Sequence, residues 1–485
     1  MRNYKELFQT WYGHLLERLI RLHHYISERA TEAPTSYSRP VRFPVELLRK
    51  VETLAAELRE RSSYLQQDDC LAENKAVYYA SARTIANAFR KLHRQVAFLP
   101  APWPSPELEF FLFKVLEESG VASLREAAAS APWTILFSGE FNFSHILLPD
   151  LAAPSFEASI LTIPAAERSN PLFWPNLVHE AAHGLAARSG LIEAAVHLPV
   201  ALDRPPETQR VLREWAHEIV ADLLAVEILG PAFFGAFVTF AAYWIPYPVR
   251  RGSERHPPPN LRVDYLQRRL TSNSPGFADI LLAQLEAEFT GRLELDQADQ
   301  EIRSALYDLA SGTQHFPEPG LVYDFVAAIL ELAEFKRLQP NAFSQADVEV
   351  VTRLAKRLQR GELIASRRRR GVKESFDTEE EVEGRFSEAL DQLEEAPNTV
   401  TEILNAAFAR KLGYASRERE RYAAACETPV GYHAGLLAMF CADLGEPVNK
   451  RLVEMRREVS TLDEVVAKSI EATSILSFYG RTESP

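Results

Sequence analysis

Cysteine is nearly absent from this chain: three in 485 residues, Cys70, Cys426 and Cys441. They lie far apart with no Cys-x-x-Cys spacing, which excludes a disulfide framework and a cysteine-built zinc knot. Buried, reduced thiols are the expectation. Basic charge is also in deficit, with 54 Lys and Arg against 67 Asp and Glu and a formal net charge of −13. So acidic a chain is repelled by phosphate backbones, and nucleic acid is not an expected partner. The opening residues Met1-Arg2-Asn3-Tyr4-Lys5-Glu6 lead into a charged amphipathic segment without the apolar stretch of a secretory signal. A cytoplasmic location follows as the default. Long apolar runs are missing too, with one stretch to decide, since no charged residue occurs from 228 to 249. Pro231 opens it, and Pro246 and Pro248 close it, so 232–245 is the longest unbroken helix it allows. At 1.5 Å per residue that helix is about 21 Å long, short of a hydrocarbon core of roughly 30 Å. A buried core helix is expected there rather than a membrane-inserted one.

What is present is a globular balance, 46% hydrophobic and 25% charged, enough for a large core. Apolar residues recur at helical spacing over 7–26, 45–65, 76–98 and 106–118, with a proline-rich link at 100–104. The pattern changes after Pro132. Short apolar runs at 133–137, 145–148 and 158–163, bounded by Gly, Asn and Pro, predict three strands. A helix is predicted from about Pro171 to Arg188, stopped by Ser189-Gly190. A second runs from about Glu207 to Leu229, stopped by Gly230-Pro231. From Pro275 onward the chain reads as helical, with breaks near 311–319 and 396–398. The fold class is mostly α with a small mixed β-sheet beside the first of those two helices.

That helix carries His179-Glu180-Ala181-Ala182-His183. Positions i and i+4 share a helix face, so both imidazoles can aim at one point, and zinc accepts neutral imidazole nitrogen. Glu180 is not itself a ligand. It sits where it can move a proton from a metal-activated water to the leaving amine of a peptide. Such a pair arises by chance often enough that it needs a third ligand to mean anything. The second helix supplies a candidate in Trp215-Ala216-His217-Glu218-Ile219-Val220-Ala221-Asp222. Glu218 can complete the metal set. Asp222, one turn on, can accept a hydrogen bond from a ligand histidine and fix its tautomer. Acids inside so apolar a helix need partners.

His-Glu-x-x-His followed by Glu-x-x-x-Asp resembles the gluzincin zinc peptidases. The closer resemblance is to the HtpX and CAAX prenyl endopeptidase family, through Glu218-Ile219-Val220-Ala221-Asp222 and a His-Pro element with an arginine soon after, His256-Pro257-Pro258-Pro259-Asn260-Leu261-Arg262. It covers about 158–266. The resemblance implies zinc on His179, His183 and Glu218, with Glu180 as general base and Asp222 behind a ligand. It also implies Arg262 holding the carboxylates and His256 as a donor to the developing oxyanion. The fold it implies is a zincin-like metallopeptidase core at 130–270, wrapped by helical regions at 1–129 and 271–485. The activity it implies is zinc-dependent hydrolysis of internal peptide bonds in a protein or peptide. It further implies an edge strand at 158–163 that pairs with an extended substrate. Familiar members are integral membrane proteins and this chain lacks their spanning helices, so a prenylated or membrane-bound substrate is not carried over.

Other residues read as less active. His217 points about 100° from Glu218 around the helix and reads as structural or substrate-facing. Glu193 and His197 suit a loop, and Tyr243 and Tyr247 suit packing. The run Arg367-Arg368-Arg369-Arg370 is followed by acids over 374–395, which favours a self-neutralised face over an anionic partner. Two rivals stand beside the peptidase reading: a non-catalytic helical interaction protein with a structural zinc, and an effector that binds an anionic partner through the arginines.

Overall fold

Three of the helical periodicities become long helices, α1 (Tyr4–Thr31), α2 (Arg42–Gln67) and α3 (Leu71–Val96), followed by the shorter α4 (Pro106–Glu118). The computed structural model describes residues 4–31, 42–69, 71–96, 99, 106–122, 124, 133–138, 143–149, 157–243, 253–273, 316–338, 345–360, 362–364, 398–413, 432–442 and 444–482. The 100–104 link, Cys70, Cys426, Tyr247, Arg367 to Arg370 and the acidic run at 374–395 lie outside them. The helix α1 is buried nearly all round: Phe8, Trp11, Tyr12, Leu16 and Leu19 are in the core, and so are His14, Glu17, Arg18 and Arg21. It packs against α2 and α3 on one side. On the other lie α15 (Tyr432–Cys441) and α16 (Val448–Thr482). Cys441 is a buried free thiol whose pKa burial pushes up to about 12, as expected of an unreactive core cysteine.

The three predicted strands form. They are β1 (Trp133–Ser138), β2 (Ser144–Pro149) and β3 (Glu157–Pro164), in the order β1-β3-β2. The sheet is mixed: β1 runs parallel to β3 and β2 antiparallel to it. This corrects one expectation. The 158–163 segment is the central strand, not an edge. Leu161 pairs with Ile135 on one side and His145 on the other, and Thr162 pairs with Leu136 and Ser144. Both backbone edges are consumed, so no substrate strand can add to β3. Its run Ile160-Leu161-Thr162-Ile163 fits a central strand, and Leu161 and Ile163 are fully buried.

After a 3-10 turn at Ala165–Glu167 comes α5 (Pro175–Arg188), four residues later than Pro171, because 171–174 make turns instead. Ser189 caps it, and Gly190 takes φ 74°, a left-handed conformation that suits glycine. Two short helices, α6 (Leu191–Val196) and α7 (Pro199–Leu202), lead to α8 (Pro206–Leu229). The charge-free stretch gives α9 (Pro231–Tyr243), packed in the interior against α5, α8 and α10 (Pro259–Asn273). Among the described residues no helix is long and apolar enough to cross a membrane. The later helices are α11 (Pro319–Glu331), α12 (Ala333–Leu338), α13 (Gln345–Gln359) and α14 (Val400–Gly413). Contacts run across the boundaries read from sequence: α4 packs on β1 and α8, and α14 packs on α4, α8 and α9.

Candidate metal centre

The centre lies where α5 crosses α8. His179 and His183 share one face of α5, with ring centroids 4.8 Å apart and ring planes at 85°. From α8, Glu218 reaches both: Oε2 is 3.6 Å from His179 Nε2 and Oε1 is 3.5 Å from His183 Nε2. In a tetrahedral zinc site with bonds of about 2.0–2.2 Å, neighbouring ligand atoms lie roughly 3.3–3.5 Å apart. The donor atoms of His179, His183 and Glu218 all lie within 4.8 Å of one another, and two of their separations nearly match that edge. Two neutral imidazoles and a carboxylate are the donor chemistry zinc prefers, so the residues fit the ion.

Asp222, one turn beyond Glu218 and fully buried, sits 3.0 Å from His179 Nδ1. It is held from the other side by Arg262 of α10, whose Nε and Nη2 donate to its two oxygens at 2.7 and 2.6 Å. The third nitrogen, Nη1, lies 3.1 Å from Glu218 Oε2. One guanidinium therefore spans both acids, a geometry lysine could not reproduce. Tyr265, one turn further along α10, donates its hydroxyl to Asp222 Oδ2. The apolar helix α9 forms the wall: Phe233 stacks on His179, and the Phe237 ring lies 4.5 Å beneath the Arg262 guanidinium.

The electrostatics follow from burial and pairing. Burial alone would raise the Glu218 carboxyl, but Arg262, then His179, outweigh it and hold it well below the usual range. Asp222 is lowered for the same reason. Burial opposes a charge on His179, yet Asp222 and then Glu218 lift its pKa to about 10. An arriving metal would displace that proton. The carboxyl of Glu180, next to His179, is pushed up to about 7, chiefly by burial, with His179 opposing and Glu218 reinforcing.

His256 comes from the loop before α10. Its Nε2 lies 3.5 Å from Glu218 Oε1, while most of the ring is exposed. The prolines are not its only support. Ser253 Oγ accepts the backbone N–H of Arg255 and His256, and the Ser253 backbone N–H bonds the His256 carbonyl. The loop is pinned to α8 by Trp215 Nε1 on the Ser253 carbonyl and by the Arg210–Glu254 fork. With its oxygen already accepting those amides, the Ser253 hydroxyl is left to donate to His256 Nδ1, 3.3 Å away. That bond selects the tautomer with hydrogen on Nε2, the atom facing Glu218. Partial desolvation where the ring meets the cleft lowers the His256 pKa, with Glu218 opposing and Arg262 reinforcing.

The structure thus brings together His179, Glu180, His183, Glu218, Asp222, His256 and Arg262. His217 is exposed on α8. Glu193 is exposed in the first turn of α6 rather than on the expected loop, and His197 is exposed just past the end of that helix, with its Nδ1 on the Glu193 carbonyl. Sequence reading missed Tyr265, Phe233, Phe237 and Ser253. The signals were faint but real: a tyrosine three residues after Arg262, phenylalanines four apart, and a serine three before His256. Compared with known proteins, the chain finds no counterpart at a significant level: no family model matches it, and neither does any curated protein or solved structure.

Proposed function

We propose that this chain is a zinc-dependent endopeptidase of gluzincin type that hydrolyses internal bonds of a protein or peptide. One observation carries the reading: a single carboxylate, Glu218, meets both histidines of His179-x-x-x-His183 while Arg262 fixes it from behind. When bound, zinc would supply Lewis acidity, polarising a carbonyl and bringing the pKa of a water to about 7. The residues do the rest. Glu180 takes a proton from the attacking water and returns it to the leaving amine. His256, with hydrogen on Nε2, donates to the carbonyl oxygen as that oxygen gains charge. Asp222 sets the tautomer of His179, and Arg262 holds both acids in place. A substrate strand cannot use β3, and of the two outer strands β2 is the one that packs on the helix of His179 and His183, so it is the one assigned here. Among the described residues β2 is paired on one edge only, and it packs on α5.

The test is Glu180→Gln. The variant should bind zinc as the wild type does, because Glu180 is not a ligand. Its cleavage of a peptide library should fall by roughly 10²–10⁴. Undiminished cleavage would remove Glu180 from the chemistry. Zinc on both proteins with cleavage by neither would leave the non-catalytic rival standing.

A further inference from the structure

A second cluster with the same donor set sits far along the chain. His14 and Glu17 lie three apart on one face of α1, His433 lies on α15, and all three are buried with donor atoms within 4.8 Å of one another. The His433 Nε2 is 2.7 Å from Glu17 Oε2, and the His14 and His433 rings stack. The other Glu17 oxygen pairs with Arg21 at 2.8 Å, and Arg21 pairs in turn with Asp463 of α16 at 2.5 Å. This repeats the plan of the first centre: two imidazoles, one carboxylate, and an arginine that ties the carboxylate to a second buried acid. Arg21 faces three acids, Glu17, Asp463 and, at 3.8 Å, Glu167. The backbones are forced together as well. A Cβ on Gly13 would lie 1.9 Å from the His433 carbonyl oxygen, so only glycine lets α15 deliver His433 to α1.

We propose that His14, Glu17 and His433 form a second divalent metal centre, with the ligand preference of zinc, that fastens α1 to α15. The ion replaces the proton shared by His433 and Glu17. Their contact opens from 2.7 Å by roughly 0.6–0.8 Å to the edge of a tetrahedral site, and the His14 ring turns out of the stack. Leu15 occupies the position that Glu180 holds in the first centre, so the residue after the first histidine offers no base here. Its role is structural.

The test uses the full chain, stripped with a chelator and dialysed against Zn²⁺ alone. Wild type should retain two equivalents. His179→Ala with His183→Ala should retain one, and adding His14→Phe, which preserves the ring stack, should leave none in a protein still folded by circular dichroism. A folded His179→Ala/His183→Ala protein that retains no zinc overturns the proposal, as does one whose equivalent survives His14→Phe. Should the triple variant fail to fold, Co²⁺ bound to the His179→Ala/His183→Ala protein decides. Intense visible bands of a low-coordinate histidine site support the centre, and the weak absorption of a six-coordinate surface ion overturns it. Failure of the first centre is read separately, as loss of one equivalent from the wild type with the His14-dependent one intact.

Discussion

At the scale of single residues, the charges that matter are the ones burial forces into pairs. Tyr265 is an instance. It adds a donor to an acid that Arg262 already grips in two places. Tyr265→Phe should leave the fold intact and weaken zinc binding about tenfold by competition with a chromophoric chelator, as losses behind a ligand do. An unchanged affinity would make the tyrosine mere packing. Glu118, at the end of α4, is a different case. It accepts the Val400 N–H at the start of α14 at 2.7 Å, yet burial lifts its pKa from 4.5 to about 7. A carboxyl that holds its proton more tightly when folded stabilises the fold below its unfolded pKa. That gain is lost as pH rises through about 7. Glu118→Gln should therefore flatten the stability profile between pH 4.5 and 7 and stabilise the protein at pH 8 by about 1–3 kcal/mol. Urea titrations across that range would show it, and parallel profiles for the two proteins would refute it. Most of the candidate site was legible at this scale because helical spacing is local: His179 with His183, and Glu218 with Asp222, are each one turn apart. Tyr265 and the phenylalanines of α9 were not, because their roles depend on how α9 and α10 cross α5 and α8.

Among the elements, the helices α5 and α8 could be read to within a few residues, because proline and glycine punctuate both ends. Strand order could not. Three short apolar runs carry no mark of which lies between the other two, and among the described residues β3 is the one paired on both sides. The consequence for substrate posture can be measured. With a tight-binding extended peptide on an inactive Glu180→Gln protein, hydrogen exchange should slow at 144–149 and stay unchanged at 157–164, which is already paired on both sides. Protection at β1 instead would place the substrate on the opposite edge. The interface of α1 with α15 rests on Gly13. Gly13→Ala should lower stability by more than the usual helix-interior gain for that change, because a backbone carbonyl, not a flexible side chain, occupies the space. A higher melting temperature would show that the two helices are not in such close contact.

For the whole molecule, helices from both ends of the sequence close on the sheet and the crossed pair α5–α8. Their helical character was readable from periodicity. Their arrangement was not, since contacts such as Glu17 with His433 join positions 416 residues apart. Because Arg262 and Tyr265 already satisfy the acids of the first centre, emptying that centre alone, as in His179→Ala with His183→Ala, should leave a folded protein. Its melting temperature should drop by several degrees, in line with about 3 kcal/mol of linkage at a hundredfold excess over Kd. Loss of the helical signal in that variant would mean that the first metal holds the fold together.

The separation of Glu17 from His433 also bears on synthesis. At roughly 5–20 residues per second, about 20–80 s pass between the emergence of one and of the other. The face of α1 that meets Tyr78 and Tyr79 carries Phe8, Trp11 and Tyr12, and α3 follows soon enough to cover it. The face that must wait carries His14, Glu17 and Arg21, which water can solvate in the meantime. A nascent chain so arranged exposes its polar stripe, not its aromatic one, during the long interval. Replacing His14, Glu17 and Arg21 together with leucine would give the ribosome-bound intermediate an apolar flank, and the soluble yield should collapse into chaperone-bound or aggregated chains even where the completed fold could bury the substitutes.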